Sequence, residues 1–576
     1  MAEKIVSPGV FTNEIDQSFL PAAIGEIGAA VIGPTVKGPA FVPTVVSSYS
    51  EYVQIFGETY VSASNNYTFL TSHAAKEYLR HGNTLTVCRV MSGSSYAQAT
   101  SSVVSASTEI FKLYTHGHGT VENSSGSEDS NGILANGTTN NIRWEVNGLN
   151  NRKGTFNLVI RQGNDTTKRK QILETWNNLS MDPNAKNFVS KVIGDSELTI
   201  AGSSPDRYLQ PSGAFPNKSK YVFIKMNNAF LTPNYLDNAG QTSSAAFTAS
   251  LPQNGSGSFG TGDDGEIKHP MTWYEDIDQD TQGITVGAAS TEYGGYRTAL
   301  DLLGNPDEFD MNLVMMPGIV NDKTNHSSVI DYAIQKAEDR ADCLVLADPG
   351  GYGQAISSAV TQAEGYDSNY AAMYYPWVQV LDNNTGMYRW APPSTVLGGV
   401  FAFNDKVAHP WFAPAGLNRG GVDTAIQAER KLTHANRDDM YESNLNPIAT
   451  FPGQGVTVFG QKTLQKKSSA LDRVNVRRLM IKVKKFIAAS SRFLVFEQNN
   501  AQTRRRFLNI ANPYLEQVQS NSGLNAFRVV MDGTNNTPDV VDRNILYGQI
   551  FLQPTRTAEF IVLDFTIQPS GATFPE

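Results

Sequence analysis

Several groups of residues in this 576-residue chain have types and spacings that chemistry could use. Gly350-Gly-Tyr-Gly353 follows an apolar, strand-like run and could turn backbone N–H groups toward a phosphate. It lacks the full G-x-G-x-x-G spacing and the Lys-Ser/Thr ending of a nucleotide loop, so a plain turn is the stronger reading. Asp276-Ile-Asp-Gln-Asp280 opens like a calcium loop. However, Thr281 stands where glycine is needed, and Gly287 stands where a glutamate should close the site. His116 and His118 could both ligate a metal, but they sit among glycines with no evident third ligand. No G-x-S-x-G and no H-E-x-x-H occurs, and no cysteine lies near a histidine. The expectation is a chain with no catalytic residues, no metal and no cofactor. An α/β enzyme using 350–353 as a phosphate loop is the rival reading.

A basic stretch stands out more. From Lys462 to Arg506 the chain is markedly basic in an otherwise acidic protein. Val474 to Ala489 reads as a helix, with Val476, Leu479, Met480, Val483 and Ile487 forming an apolar stripe. Arg477, Arg478, Lys482 and Lys485 fall outside the stripe, and Arg504-Arg-Arg506 follows. Two readings stand: a solvated face with local ion pairs to Asp472 and Glu497, or a surface that docks on an acidic partner. Nucleic acid is the weaker version of the second, because no aromatic residues interleave with the charges.

The elements that must position these residues come next. The chain carries a net charge of -9, with 40% hydrophobic and 18% charged residues, which fits a folded multidomain protein and argues against wholesale nucleic-acid binding. Its two cysteines, Cys88 and Cys343, lie in apolar strand-like runs and read as buried free thiols of a reducing compartment. Met1-Ala-Glu-Lys-Ile-Val-Ser-Pro8 lacks the pattern of a signal peptide, and no apolar run is long enough to cross a bilayer. The chain is therefore expected to fold in a cytoplasm and not to enter membranes.

Residues 1–23 read as an extended arm, interrupted at Pro8 and Gly9, with weak strand character over Val10, Phe11 and Ile15. From residue 24 the pattern is globular: a buried strand at Gly28–Gly33, helices at 50–56 and 66–81, and a strand at 85–90. Residues 92–309 have Ser-, Thr-, Gly- and Asn-rich stretches between short strand-like runs and read as one or two β-rich insertions, divided as 92–215 and 216–309 if two. Past residue 309 the order strand (311–316), helix (326–340), strand (342–347) marks a βαβ unit. The fold class expected is an α/β core, a mixed sheet with flanking helices, with β-rich inserted domains and extended N- and C-terminal arms. The core is built from 24–91 plus 310–557.

The end of the chain holds three strand-like runs: 527–532, 545–553 and 560–567. In the last, Ile561, Leu563, Phe565 and Ile567 alternate and share one face. Such a strand near a chain end either closes its own sheet or joins another molecule's.

A family resemblance bears on that choice. Pro414-Ala-Gly-Leu-Asn-Arg-Gly420 precedes what reads as a long helix ending at Arg437-Asp-Asp-Met-Tyr441, and Asn446-Pro-Ile448 follows. Then come Asp472-Arg-Val-Asn-Val-Arg-Arg-Leu479, Phe496-Glu-Gln-Asn-Asn500, Arg505-Arg-Phe507, Asn535-Asn-Thr-Pro538 and Asp542-Arg-Asn544. In this order the chain resembles the carboxy-terminal half of contractile tail sheath proteins of T4-like myophages. Ser7-Pro-Gly-Val10, Gly38-Pro-Ala40 and Asn178-Leu-Ser-Met-Asp-Pro183 are similar to that family as well.

The resemblance implies a structural subunit of the virion tail, with no enzymatic role. It would polymerise helically with itself, in six-fold rings around a tail tube protein, between baseplate and tail terminator proteins. It would be assembled in the host bacterial cytoplasm and make no direct nucleic-acid contact. A sheath of a related bacterial contractile injection device is the alternative within the class. The resemblance also implies that the N-terminal arm (Val10, Phe11, Ile15) and a C-terminal arm at 558–576 (Ile561, Leu563, Phe565, Ile567) exchange strands between subunits. The receiving sheet would hold Phe527, Val529, Met531, Leu546, Ile550 and Leu552. The helix bearing Arg477, Arg478, Lys482 and Lys485 would face the tube.

Overall fold

A computed structural model describes residues 28–62, 65–93, 95–105, 107–243, 251–268, 271–287 and 295–561. At its centre is a mixed sheet with strands ordered 44–46, 85–89, 28–33, 311–320, 344–348, 371–375, 445–451 and 455–458. The inner neighbours pair in parallel, and the short strands at both edges pair antiparallel. Gly28–Gly33 lies between Leu85–Arg89 and Met311–Val320, so segments far apart in sequence share one sheet.

Strict alternation divides this sheet between two apolar layers. Ala29, Val31, Leu313, Met315, Leu344, Leu346, Ala372 and Tyr374 point to one face. There they meet helices Leu70–Leu79 and Pro393–Val407. Ala30, Ile32, Val314, Met316, Val345, Ala347, Met373 and Tyr375 point to the other. There they meet Gly295–Leu302, His326–Arg340 and Ile356–Glu364. Strands buried on both faces read as unbroken apolar runs, and these do. The Gly28–Gly33 strand carries its glycines because neighbours press on it. A Cβ at Gly33 would lie 2.3 Å from Thr71 Oγ1 on the adjacent helix.

Composition places a break at residues 215 and 216, and the structure removes it. Val222–Met226 pairs with Thr108–His118, and Gly255–Ser258 pairs with Ile142–Asn150. Phe111, Trp144, Leu158, Val222 and Phe259 belong to one cluster, so a single β-rich body spans the two expected insertions. Ser- and Gly-rich stretches such as Gln98–Ser105 and Gly255–Ser258 are strands of this body, which is why composition alone divided it. The chain also returns to the core earlier than residue 310. Met271, Tyr274 and Ile277 pack in the first layer, and Ile284, Val286 and Tyr296 in the second. Buried Gln282 ties this return in place, accepting from Leu70 N at 2.7 Å and donating to Pro317 O at 3.1 Å.

Two local expectations also change. The helix read at 66–81 is a strand, Asn65–Thr68, followed by helix Leu70–Leu79. The long helix expected before Tyr441 is a strand, Ala425–Ala428, and a shorter helix, His434–Glu442. A capping box between Thr433 and Asn436 starts that helix.

Past the sheet, helices Val474–Ser491 and Ala501–Ser520 carry an antiparallel hairpin of Leu524–Val530 and Gln549–Pro554. Asn500 caps the second helix by accepting from Gln502 N and Thr503 N. Stacked rings of Phe486 and Tyr514, 3.6 Å between centroids, join the two helices.

Candidate functional site

The motifs that could have carried chemistry are engaged in packing. In the glycine loop, Gly351 N donates to Asp322 Oδ1 at 2.9 Å and Gly353 N to Glu429 Oε1 at 3.1 Å. Two carboxylates hold the N–H groups that a phosphate would need, and both would repel it. Tyr352 instead lies against Trp390 and Trp377, whose Nε1 donates to Gly350 O at 2.8 Å. His118 accepts from Ala40 N through Nδ1 at 3.2 Å. Burial first, and the neighbouring Arg89 second, push its pKa down to about 3. Arg89 itself, 1% exposed, donates to Gly38 O and His118 O, at 2.6 and 2.7 Å. His116 Nε2 contacts Ser219 O at 3.1 Å and its ring stacks on Phe223. Asp280 pairs with Lys268 at 2.5 Å. Among the described residues no cluster of His, Cys, Asp and Glu could hold a metal ion.

The basic helix differs from its sequence reading. Arg477 is 3% exposed and Arg478 is 2% exposed. Arg477 lies over the Tyr370 ring at 3.9 Å and donates to Tyr370 Oη and Asn369 Oδ1. Arg478 makes a two-pronged contact with Asp405, at 2.8 and 2.5 Å. Lys485 bridges Asp310 and Asp342 at 2.5 and 3.2 Å, and Lys482 lies over Trp411 at 5.5 Å. Arg477, Arg478 and Lys485 therefore join the helix to the sheet layer and do not form a free docking face. The apolar stripe showed the helix correctly, but its first half is buried all round, from Val474 to Leu479. A one-dimensional pattern assigns such side chains to solvent because their partners, Tyr370 and Asp405, are distant in sequence. Past the buried half of this helix, Arg492, Arg505 and Arg506 are exposed and Arg504 is half-buried.

The carboxy-terminal hairpin is the most open feature. Phe527 pairs with Leu552 and Val529 with Ile550 across the ladder. All four side chains point inward, onto Leu479, Val483, Leu515 and Val518 of the two helices. Met531 lies just past the first strand and Leu546 just before the second, and both pack with Phe507. An isolated two-stranded sheet is marginal, and this one is held by its helices. Among the described residues, neither outer edge of the hairpin has a partner strand.

A clamp that the sequence did not reveal fixes the chain where it leaves this unit. Glu559 accepts from Arg473 Nε and Nη2 at 2.8 and 2.9 Å, from Tyr441 Oη at 2.9 Å and from Gln461 Nε2 at 3.0 Å. Burial pushes the Glu559 carboxyl up, but the hydrogen bonds from Arg473 and Gln461 outweigh it and hold the pKa below the usual value. The only signal available was that Tyr441 and Arg473 both lie in the family-like motifs. Directly after the clamp, Phe560 and Ile561 are 77% and 79% exposed. Leu563, Phe565 and Ile567, like Val10, Phe11 and Ile15, lie outside the described residues.

Two family models match the chain. The phage tail sheath protein central domain covers residues 294–464, and the phage tail sheath C-terminal domain covers 466–568. Both are domains of phage tail sheath proteins, and this chain is similar to them from residue 294 to residue 568. The C-terminal model spans both helices, the hairpin and the clamp residue Glu559. The tail sheath protein of Vibrio phage KVP40 is similar along 99% of both chains, at 24% identity. That of Enterobacteria phage T4 is 32% identical over 51% of this chain and 47% of its own, so that match spans about half of each. A solved tail sheath protein from Listeria innocua shares the fold. Its TM-score is 0.53 at 11% identity, covering 88% of this chain and 90% of its own.

Proposed function

We propose that this chain, as a tail sheath subunit, polymerises as helically stacked rings around a tail tube, and that contraction of the lattice drives the tube through a host envelope. In this reading it is a structural part of the virion, assembled in the host cytoplasm, with baseplate and terminator proteins at its ends. One observation supports the mode of assembly: an apolar-backed hairpin whose two edges have no partner strand among the described residues, with Phe560 and Ile561 largely exposed nearby. Open edges present rows of N–H and C=O groups, which an extended segment of another molecule satisfies by adding a strand. The segments proposed to do so are 1–23 and 558–576 of neighbouring copies. Glu559 is then the fixed point from which the second arm departs.

The energetics favour many weak links. Burying Ile561, Leu563, Phe565 and Ile567 would contribute roughly 6–12 kcal/mol gross, at about 1.5–3 kcal/mol each. Ordering a free arm costs about 1–2 kcal/mol per residue, which removes much of that gain. Firm assembly therefore depends on many such links in parallel. A head-to-tail contact of this kind extends without closing on itself, as a helical polymer requires. The α/β core of 24–91 and 310–557, together with the returning 271–309 segment, is proposed to lie innermost, with the β-rich body outside.

The test is negative-stain microscopy of the purified chain and of a chain ending after Ile561, which keeps the Glu559 clamp. The full chain is expected to form tubes, and the shortened chain to stay folded but remain unassembled. Normal tubes from the shortened chain would rule out exchange through the C-terminal arm.

A further inference from the structure

The two helices end in a tip made of the 492–500 and 532–547 loops, tied together where Asn499 Nδ2 donates to Ile545 O at 2.8 Å. The two loops of the tip carry unlike charge beside exposed apolar residues. In one loop Phe493 is 80% exposed and Phe496 102% exposed. Phe496 also has φ 68°, a conformation unfavourable for an aromatic residue. Water gives a phenyl ring nothing in return for that arrangement. Close to them in the chain are Arg492, Arg504, Arg505 and Arg506; Arg492 pairs with Asp307 and Arg506 with Glu497, so four positive charges meet two negative ones. In the other loop Ile545 and Tyr547 are 46% and 47% exposed. Beside them Asp532, Asp539 and Asp542 stand against Arg543 alone, three negative charges to one positive.

We propose that the arginine-and-phenylalanine side of this tip docks on the aspartate side of the tip of a second copy of this chain. The complementarity is built into one chain: apolar residues on both sides, and opposite charge around them. Two different patches of the same molecule make a heterologous contact, which repeats around a ring or along a helix and is not satisfied by a dimer. An apolar centre with a charged rim is also the usual anatomy of a specific interface. The proposal deepens the sheath reading by naming a contact between subunits that is independent of the arms.

The experiment uses the full chain and follows tube formation by light scattering and negative-stain microscopy. Arg505→Glu with Arg506→Glu is expected to reduce assembly at least tenfold. Adding Asp539→Arg and Asp542→Arg to the same chain is expected to restore it, because the swapped charges again face each other. Phe493→Ser with Phe496→Ser should abolish assembly without lowering the melting temperature, since neither ring packs in the folded chain. Three results would overturn the contact: arginine variants that assemble normally, a swap that fails to rescue, or variants that form tubes by themselves yet fail to coat purified tail tubes of the same phage. The last result would assign the tip to the tube. A wild-type chain that forms no tubes would remove the sheath reading, and this contact with it.

Discussion

Asp348 sits at the end of a core strand and is fully buried. Ser394 donates to it from its backbone N at 2.9 Å and from Oγ at 2.5 Å, at the start of helix Pro393–Val407. Burial outweighs those hydrogen bonds and raises its pKa from 3.8 to about 7. A raised folded value means that this group's contribution to stability is complete below the unfolded value near 3.8 and is lost as pH rises through about 7. Asp348→Asn should therefore flatten the fall in melting temperature between about pH 4 and pH 7. An unchanged pH profile would count against this assignment. The Arg478–Asp405 pair makes a different prediction. Asp405→Ala leaves a buried guanidinium without its partner and should cost about 3 kcal/mol, the low end for such pairs, because Asp405 keeps some solvent. Denaturant unfolding measures the loss. The residue types at these positions were plain in the sequence, whereas their burial and partners were not.

At the scale of elements, the clamp at Glu559 fixes the chain just past the hairpin. A chain ending after Thr557 loses the clamp and should melt at a lower temperature than one ending after Ile561. Equal melting would show that Glu559 contributes nothing to the fold. Because the Glu559 pKa is held below its usual value, the clamp's stabilising effect is present above pH 4.5 and is lost as pH falls below that. Hydrogen-exchange protection at 555–559, corrected for the slower intrinsic exchange in acid, should fall on acidification before that of the core strands. Sequence periodicity located helix 326–340 and the core strands well, since Val329, Ala333, Ile334 and Ala337 do face one layer. It failed at 425–442, where a strand and a capped short helix were read as one long helix. It failed again at Arg477 and Arg478, because an apolar stripe reports which face is buried only while the opposite face is free.

At the scale of the whole molecule, a net charge of -9 coexists with an arginine-rich tip. If the tips join copies as proposed, assembly should weaken as salt rises from 0.05 to 0.5 M, since screening shortens to roughly 10 Å at 0.1 M and less above it. The Arg505→Glu, Arg506→Glu, Asp539→Arg, Asp542→Arg chain should show the same salt dependence as the original. Sedimentation across that salt range is the measurement, and assembly indifferent to salt would speak for apolar contacts alone.

The sequence by itself determined the apolar strands of the core, the insertion of β-rich chain between them and, through scattered motifs, the resemblance to sheath proteins. These are readable because local periodicity and turn chemistry act over a few residues, and because a set of motifs in order is specific when each alone is weak. The tertiary structure alone decided that the β-rich strands between 98 and 258 form one body, that the basic helix is pinned into the core, and that Glu559 is held by Arg473, Tyr441 and Gln461. Each of those depends on partners tens to hundreds of residues away: Val222 on Thr115, Arg478 on Asp405, Glu559 on Arg473 and Tyr441. No pattern along the chain encodes such pairings. They follow only when the sheet brings the segments together.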